Sequence, residues 1–287
     1  TAYIAADYGG STELSIYNVT DPVNPVVLGS YSNNTIGYDV AVFGKHAYLA
    51  SGSSGLRILD ISSPSNPTHR STFDTDGSAR GVDVVFPYAY VADNISGLHV
   101  LDITNPTAPT LKGTYAAASS ALGVKVVGNK AYVSDGTTTL QVIDLGTEFL
   151  PDALVGEYNT SGLAYETVIS GNVAYVADGG SGLQIINIAT PAAPSLTGTF
   201  DTAGDARGIA VSGNTVYVGD YASGLQILDI TTPATPTLKG TYDTAGDAAW
   251  GVAVVGNTAY VADGSGLRII DVTIPAAPTL TGTYPMS

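Results

Sequence analysis

Apolar and polar residues alternate in short runs along the whole chain, and turn residues separate the runs. One example is Gly208-Ile-Ala-Val-Ser, which is followed by the pair Gly213-Asn214 and then by Val216-Tyr-Val. Such alternation is typical of half-buried β-strands, and a Gly-Asn pair between two runs is typical of a tight hairpin. No segment keeps a 3.6-residue period. The pattern therefore predicts an all-β protein made of short antiparallel strands.

Two aromatic columns organise these strands into repeats. The first column is the Tyr of Ala-Tyr-Val-Ala-Asp or a near copy, with spacings of 45, 42, 42, 43, 42 and 43 residues. The second follows mostly Gly-Thr, with spacings of 42, 42, 43, 42, 42 and 42. Two independent columns with one period establish seven repeats. The columns are Tyr3, Tyr48, Tyr90, Tyr132, Tyr175, Tyr217 and Tyr260, and Tyr31, Phe73, Tyr115, Tyr158, Phe200, Tyr242 and Tyr284.

Each repeat is interpreted as four strands, and the repeats start near residues 1, 37, 80, 122, 165, 207 and 250. Four antiparallel strands in about 42 residues, seven times over, predict one seven-bladed β-propeller domain over residues 1–287. The first strand of a repeat carries Gly or small residues, as at Gly81 and Gly208, which suits the crowded axis. The fourth strand follows Pro and is predicted to be the outer edge, because Pro cannot donate to a ladder.

The first repeat lacks a first strand within this chain, so we expect its blade to have only three strands from residues 1–287. Either the sequence is a trimmed part of a larger protein, or another segment or chain completes the blade. An upstream segment is favoured over a neighbouring copy, which has no spare first strand. Unpaired backbone groups are costly when buried, so we expect blade one to be completed or frayed.

The third strands carry the most regular motif, for example Leu56-Arg-Ile-Leu-Asp60, Leu98-His-Val-Leu-Asp102 and Leu225-Gln-Ile-Leu-Asp229. These strands resemble the LVIVD repeat, found in bacterial and archaeal secreted and cell-surface proteins that are taken to be β-propellers. The resemblance extends over essentially the whole chain. It implies an extracellular or cell-surface location and says almost nothing about activity.

Composition excludes several classes of protein. The chain has no Cys, which excludes disulfides, thiolate metal sites and a Cys nucleophile. The net charge of −15 has the wrong sign for a nucleic-acid binder. No apolar run is long enough to span a membrane. We therefore expect the partners to be other surface proteins, glycans or copies of the chain itself.

One column differs strongly between repeats, immediately before the first strand and at the next position. Its residues are predicted to ring the mouth of the central channel, where Arg and aromatic side chains make a recognition site. The alternative is drift at exposed loop ends, with Arg–Asp pairing across blades. The candidate ligand-binding residues are Tyr38, Asp39, Arg80, Tyr165, Glu166, Arg207 and Trp250.

Acidic residues occupy three further sets of positions. The Asp or Asn ending each third strand, and the Asp after each second strand, are interpreted as turn-forming acceptors. The connections between blades are acidic as well, and they are either solvated loops or oxygen ligands for a hard cation such as Ca²⁺. The candidate calcium ligands are Asp74, Asp76, Asp201, Asp205, Asp243 and Asp247.

Catalytic motifs are missing from the sequence. The three His residues stand at nonequivalent positions, and none of the common hydrolase or metalloprotease patterns occurs. A carboxylate pair would have to combine Asp39 with Glu166 across the channel. We therefore predict a non-enzymatic scaffold, with a ligand-binding or hydrolytic enzyme acting at the channel mouth as the alternative.

Overall fold

The structure, a computed structural model, describes residues 1–5, 12–21, 23–116, 120–137, 139–148, 150–244 and 248–285. Every helix or strand assigned in these residues is a β-strand. The strands form seven antiparallel sheets arranged as blades in a ring, which confirms the predicted seven-bladed β-propeller. None of the described residues belongs to a helix long and apolar enough to cross a membrane.

The blades follow one another in chain order. Blades one to four comprise β1 (Ala2–Ala5), β2 (Thr12–Asn18), β3 (Val26–Ser32); β4 (Asp39–Phe43), β5 (His46–Ala50), β6 (Leu56–Asp60), β7 (Thr68–Phe73); β8 (Gly81–Val85), β9 (Tyr88–Ala92), β10 (Leu98–Asp102), β11 (Thr110–Tyr115); and β12 (Ala121–Val127), β13 (Lys130–Asp135), β14 (Thr139–Asp144), β15 (Ala153–Asn159). Blades five to seven comprise β16 (Glu166–Ser170), β17 (Val173–Ala177), β18 (Leu183–Asn187), β19 (Ser195–Phe200); β20 (Gly208–Ser212), β21 (Thr215–Gly219), β22 (Leu225–Asp229), β23 (Thr237–Tyr242); and β24 (Ala249–Val255), β25 (Thr258–Asp263), β26 (Gly266–Asp271), β27 (Thr279–Pro285).

The first strand of each four-stranded blade is the innermost one, as predicted. First strands of neighbouring blades contact each other, so together they line the channel. Small residues allow this approach, because a Cβ at Gly208 would lie 2.6 Å from the carbonyl oxygen of Trp250 in the next blade. The fourth strands lie at the outer edge, and their pairing with the third strands contains a register shift. Such a bulge twists an edge away from further pairing.

The blades pack on one another through the apolar faces of their second and third strands. One core cluster joins Tyr48 and Ile58 of blade two with Val91 and Leu101 of blade three, all essentially buried. Burying each large apolar side chain stabilises the fold by about 1.5–3 kcal/mol. The repetition of such clusters around the ring makes each blade depend on its neighbours.

The Asp or Asn that ends each third strand forms the predicted turn in all seven blades. Its Oδ1 accepts the backbone N–H two residues later at 2.8–3.0 Å. This bond closes the turn before the outer strand, where Pro residues leave few other donors. The seven residues are Asn18, Asp60, Asp102, Asp144, Asn187, Asp229 and Asp271.

Blade one has three described strands, in the order β1-β2-β3. This agrees with the strand count expected from the sequence, and completion of the blade by another segment stays a prediction. Blade one is tied to blade two by a buried ion pair between Glu13 and Arg57, and Ser51 donates a hydrogen bond to the same carboxylate. On its other side, Tyr17 packs with Leu267 and Ile269 of blade seven.

Candidate binding site at the channel mouth

The mouth residues are held by the backbone at the start of each inner strand. Their N–H groups donate to the carbonyl that ends the neighbouring second strand, at 2.8 Å for Tyr38, Arg80 and Arg207 and 2.9 Å for Tyr165. Before Arg80 and Arg207, the preceding alanine adds a two-way bridge to the loop of the previous blade, as between Ala79 and Gly52. The side chains at the channel rim therefore extend from a backbone that is held by hydrogen bonds.

Arg207 occupies an aromatic enclosure that we call the Arg207 cage, formed by Tyr165, Tyr221 and Trp250. Its guanidinium carbon lies 4.3, 5.1 and 4.7 Å from the three ring centroids. Tyr221 and Trp250 also meet edge to face at 5.0 Å. Asp205 completes the arrangement, since its Oδ2 accepts hydrogen bonds from Nε and Nη2 of Arg207 at 3.0 and 2.6 Å. Cation–π attraction and two charge-assisted hydrogen bonds to one carboxylate oxygen thus fix one Arg side chain.

A second, smaller cluster lies at blades two and three. The guanidinium carbon of Arg80 stands 4.0 Å from the centroid of the Tyr38 ring. The edge of the Tyr38 ring would in turn lie 3.0 Å from a Cβ at Gly52, so the loop of blade two packs against the ring. The predicted ring of residues is therefore two separate aromatic–Arg clusters on the rim.

Carboxylates in the channel connect adjacent blades. Asp39 accepts the backbone N–H of Val82 at 2.9 Å, and Glu166 accepts that of Ile209, also at 2.9 Å. Asp83 likewise accepts the backbone N–H of Val126, at 2.8 Å. Each bond, which we call a carboxylate latch, joins the inner strand of one blade to that of the next.

The pKa values of two latch carboxylates are raised by their surroundings in the channel. Glu166 is reached by solvent from the channel, but the surrounding strands limit its hydration. This desolvation, together with the charge of Asp39, raises the pKa of Glu166 to about 8. Desolvation likewise raises the pKa of Asp39, against the opposing hydrogen bond from Val82. Lys125, which forms an ion pair with Asp83 at 2.9 Å, opposes both increases.

The candidate calcium ligands are distributed over several connections. Asp74 accepts the N–H of Asp76 at 3.1 Å, and Asp201 accepts that of Ala203 at 2.9 Å, so both close local turns. Asp205 holds Arg207, and Asp243 is exposed in the connection to blade seven. Asp247 lies outside the described residues. Among the residues described, no group of three or more His, Asp or Glu side chains is arranged to hold a metal ion, and calcium binding stays a prediction.

The Asp after the second strand is a buried anchor in three blades. Asp93, Asp178 and Asp220 each accept a hydrogen bond from a Thr hydroxyl of the preceding connection, at 2.5–2.6 Å. They are fully buried, and desolvation raises the pKa of each to about 6. The predicted turn-acceptor role is confirmed for Asp135 and Asp263, whose Oδ1 atoms accept the backbone N–H two residues later at 3.2 and 2.9 Å.

Sequence reasoning missed four residues of this region. The sequence indicates Asp205 only as a candidate metal ligand, whereas its carboxylate holds Arg207. Tyr221 completes the Arg207 cage, and Asp83 with Lys125 lies in the channel. A signal for Tyr221 existed, because the equivalent loop position is occupied by Gly or Asn in other blades. The deviation from the repeat was the informative feature there too.

Solved structures with the same architecture have low sequence identity. A functionally unknown protein from Desulfotomaculum acetoxidans aligns with a TM-score of 0.75 and 14% identity, over 95% of this chain and 96% of that one. The computationally designed Ika8 protein aligns with a TM-score of 0.64 and 9% identity, over 97% and 95%. BamB from Moraxella catarrhalis aligns with a TM-score of 0.60 and 15% identity, over 82% and 69%. These similarities establish the fold alone.

No curated protein matches the chain. A model of the LVIVD repeat matches six consecutive segments, which correspond to residues 37–75, 76–117, 118–160, 161–202, 203–244 and 245–285. These segments include the third-strand motif of blades two to seven and run without a gap through most of the chain. The chain therefore belongs to the LVIVD-repeat family.

Proposed function

We propose that this propeller is a non-enzymatic extracellular or cell-surface scaffold that binds a glycan at its channel mouth. The observation that carries the proposal is the Arg207 cage. Three aromatic rings and one carboxylate surround a single Arg side chain at the rim, where repeat identity breaks down. A side chain that served only to fill space would not require so many directed contacts.

Preorganisation supports a binding role. Arg207 is fixed by Asp205 and by the rings, so little side-chain entropy would be lost when a ligand arrives. The side chain of Arg207 is 25% exposed and that of Asp205 is 31% exposed, so both remain accessible. Arg and Trp are also the residues that dominate binding energy in interfaces.

The chemistry of the mouth suits a sugar. The C–H face of a pyranose can stack on half-buried rings such as Trp250, while its hydroxyl groups can donate to Asp205. A sugar hydroxyl can also accept from the outer N–H groups of Arg207. These three features occur together in the Arg207 cage, which is why a glycan is favoured over a protein partner.

The test is a glycan array followed by titration calorimetry of each hit. The variant W250A/R207A is expected to lose binding while keeping the melting temperature within a few degrees of the native protein. The matched control is Arg70→Ala. Arg70 lies on the outer strand of blade two, away from the mouth, and forms an ion pair with Asp60. Glycan binding that is unaffected by the double substitution would show that the site lies elsewhere. An array on which no glycan binds would refute the proposal of glycan binding.

Location and assembly are parts of the same proposal. Membership of the LVIVD family supports an exported protein, and protease treatment of intact cells of the source organism tests this. Phe43 and Phe86 stack at 5.3 Å and remain 45% and 51% exposed, which suits packing against another surface protein or another copy. Sedimentation of F43S/F86S beside the native chain tests that contact, since an unchanged oligomeric state would exclude self-association through it.

A hydrolytic enzyme is the second candidate, favoured by one observation. The pKa of Glu166 is raised to about 8, which would keep a general acid protonated at neutral pH. Against it, Asp39 and Glu166 both use an oxygen to accept a backbone N–H from the next blade. Activity screening of the native chain and of Glu166→Gln separates the two roles. Hydrolysis that is lost in Glu166→Gln would support the enzyme and overturn the scaffold.

A further inference from the structure

The two aromatic–Arg clusters are related by a spacing of three blades. Tyr38-Asp39 in blade two corresponds to Tyr165-Glu166 in blade five, and Arg80 corresponds to Arg207. The contacts correspond too. Each Arg stacks on the Tyr of the preceding blade, at 4.0 Å and 4.3 Å, and each acid forms a carboxylate latch. The mouth therefore contains two versions of one local structure on different sides of the channel.

The two versions differ at one position that decides the charge. Asp205 stands two residues before Arg207 and neutralises it. Ser78 stands two residues before Arg80, so the corresponding carboxylate is missing. Within the described residues Arg80 makes no hydrogen bond or ion pair through its side chain, and its buried Nε has no acceptor.

Arg80 is exceptional within this chain. The four other Arg side chains are each paired with a carboxylate, in a protein whose net charge is −15. An acidic protein has an excess of carboxylates, so an Arg without one marks a place where an external anion fits. The pairs are Arg57 with Glu13, Arg70 with Asp60, Arg207 with Asp205 and Arg268 with Asp263.

The geometry favours a carboxylate as that anion. The Tyr38 ring covers one face of the Arg80 guanidinium, which leaves the N–H donors at its edge. A guanidinium edge pairs well with a carboxylate, and in the other cluster one carboxylate oxygen of Asp205 accepts hydrogen bonds from two nitrogens of Arg207. The short side chain of Ser78 leaves room where Asp205 lies in the other cluster.

We propose that Arg80, with Tyr38 and Ser78, forms a subsite for the carboxylate of an acidic sugar, a uronic acid unit of the bound glycan. This inference rests on the proposed function, which supplies the glycan. In such a glycan, a uronate unit offers its carboxylate to Arg80, and another sugar unit offers the ring face and hydroxyl groups that suit the Arg207 cage. At physiological ionic strength the screening length is about 8 Å, so the nearest charges, rather than the net charge, decide whether the carboxylate binds.

The experiment compares an acidic ligand with its neutral methyl ester. Trigalacturonate and its methyl ester are titrated calorimetrically into the native protein. The acid is expected to bind about tenfold more tightly than the ester, as one charge-assisted contact provides. Arg80→Gln is expected to abolish the preference, while Arg70→Gln is expected to retain it. Melting curves verify that each variant is folded.

A reciprocal pair of variants tests the role of Ser78 without removing an Arg. Ser78→Asp gives Arg80 an internal carboxylate, and the preference for the acid should disappear. Asp205→Ser frees Arg207, and a second acid-selective site should appear. These two changes have opposite effects on ligand binding but are matched in chemistry, so a general loss of stability cannot imitate them.

The outcomes distinguish the subsite from the function on which it rests. Equal affinity for acid and ester, or a preference that survives Arg80→Gln, overturns the subsite but leaves glycan binding intact. Failure of every glycan on the array overturns the proposed function. If an Asp-rich peptide binds through Arg80 and trigalacturonate does not bind, the carboxylate comes from a protein partner, and the uronate proposal is wrong.

Discussion

The ring of Tyr17 in blade one meets the ring of Tyr284 in blade seven edge to face, with centroids 5.1 Å apart and planes inclined at 70°. Tyr17 is 1% exposed and packs with Leu267 and Ile269. In the described part of the chain, blades one and seven share no strand pairing. The contact between these two blades therefore depends on side-chain packing, with Tyr17 near its centre.

Truncation of Tyr17 should weaken this contact. We expect Tyr17→Ala to reduce the free energy of unfolding by about 3–4 kcal/mol, because it leaves a cavity the size of an aromatic ring. Tyr17→Phe keeps the ring and should cost less than about 1 kcal/mol. Urea denaturation followed by fluorescence measures both values. Equal stability of Tyr17→Ala and Tyr17→Phe would contradict the closure role.

The crowding of inner strands yields a matched pair of glycine substitutions. A Cβ at Gly208 would lie 2.6 Å from the Trp250 carbonyl oxygen and 2.7 Å from the Cα of Gly251, so Gly208→Ala should cost about 2–3 kcal/mol. Gly251 stands in the same column of blade seven, but its Cβ would meet only Ala262, at 3.9 Å. Gly251→Ala should therefore change stability by less than about 1 kcal/mol. Thermal melts of the two variants compare them directly, and similar losses would refute the crowding argument.

The carboxylate latch of Glu166 should depend on hydrogen bonding rather than on charge. With its pKa raised to about 8, Glu166 is mostly protonated at pH 7 in the folded state, so Glu166→Gln replaces it with a near isostere. We expect that variant to stay within about 0.5 kcal/mol of the native protein. Glu166→Ala leaves the N–H of Ile209 without its acceptor and should cost about 1–2 kcal/mol. Denaturant melts at pH 7 give both differences, and a larger loss for Gln than for Ala would be incompatible with the latch.

The buried Asp anchors predict a pH dependence of stability. The pKa of Asp93, Asp178 and Asp220 is about 6 in the folded state and 3.8 in the unfolded reference. Between these values the folded state binds more protons, so the free energy of unfolding falls as pH rises from about 4 to 6 and stays low above that range. We expect Asp93→Asn, which keeps the acceptor for Thr75, to make this fall shallower by about 1–2 kcal/mol.

The control for this prediction is Asp229→Asn, which removes the same charge from an exposed turn. The hydrogen bonds from Thr231 and Lys239 lower the pKa of Asp229 to about 2, so it titrates below the window. Its stability curve should run parallel to that of the native protein between pH 4 and 6. Urea melts at four pH values supply the curves. If both variants flatten the curve equally, the effect is one of net charge rather than of the buried anchors.

Repetition made the architecture predictable from the sequence alone. The Tyr and Gly-Thr-Tyr columns established seven repeats, the alternation of apolar residues established four strands in each, and the Gly and Pro positions indicated the inner and outer edges. The third-strand Asp could be assigned to its turn because its partner is two residues away. All of these features depend on short-range sequence, where backbone geometry leaves few alternatives.

Contacts between blades had to come from the tertiary structure. Arg207 precedes the first strand of its blade, Tyr221 follows the second, and Trp250 belongs to the next blade, so their contact depends on the twist and tilt of whole sheets. The same applies to Asp83 with Val126, and to Glu13, a buried carboxylate whose partner Arg57 lies in another blade. The sequence by itself determined the strands, their order and the residues that depart from the repeat. The packing of neighbouring blades, about forty residues apart in sequence, decided which of those residues are in contact. The distance between their side chains depends on the angle between the two sheets, which short-range sequence does not specify.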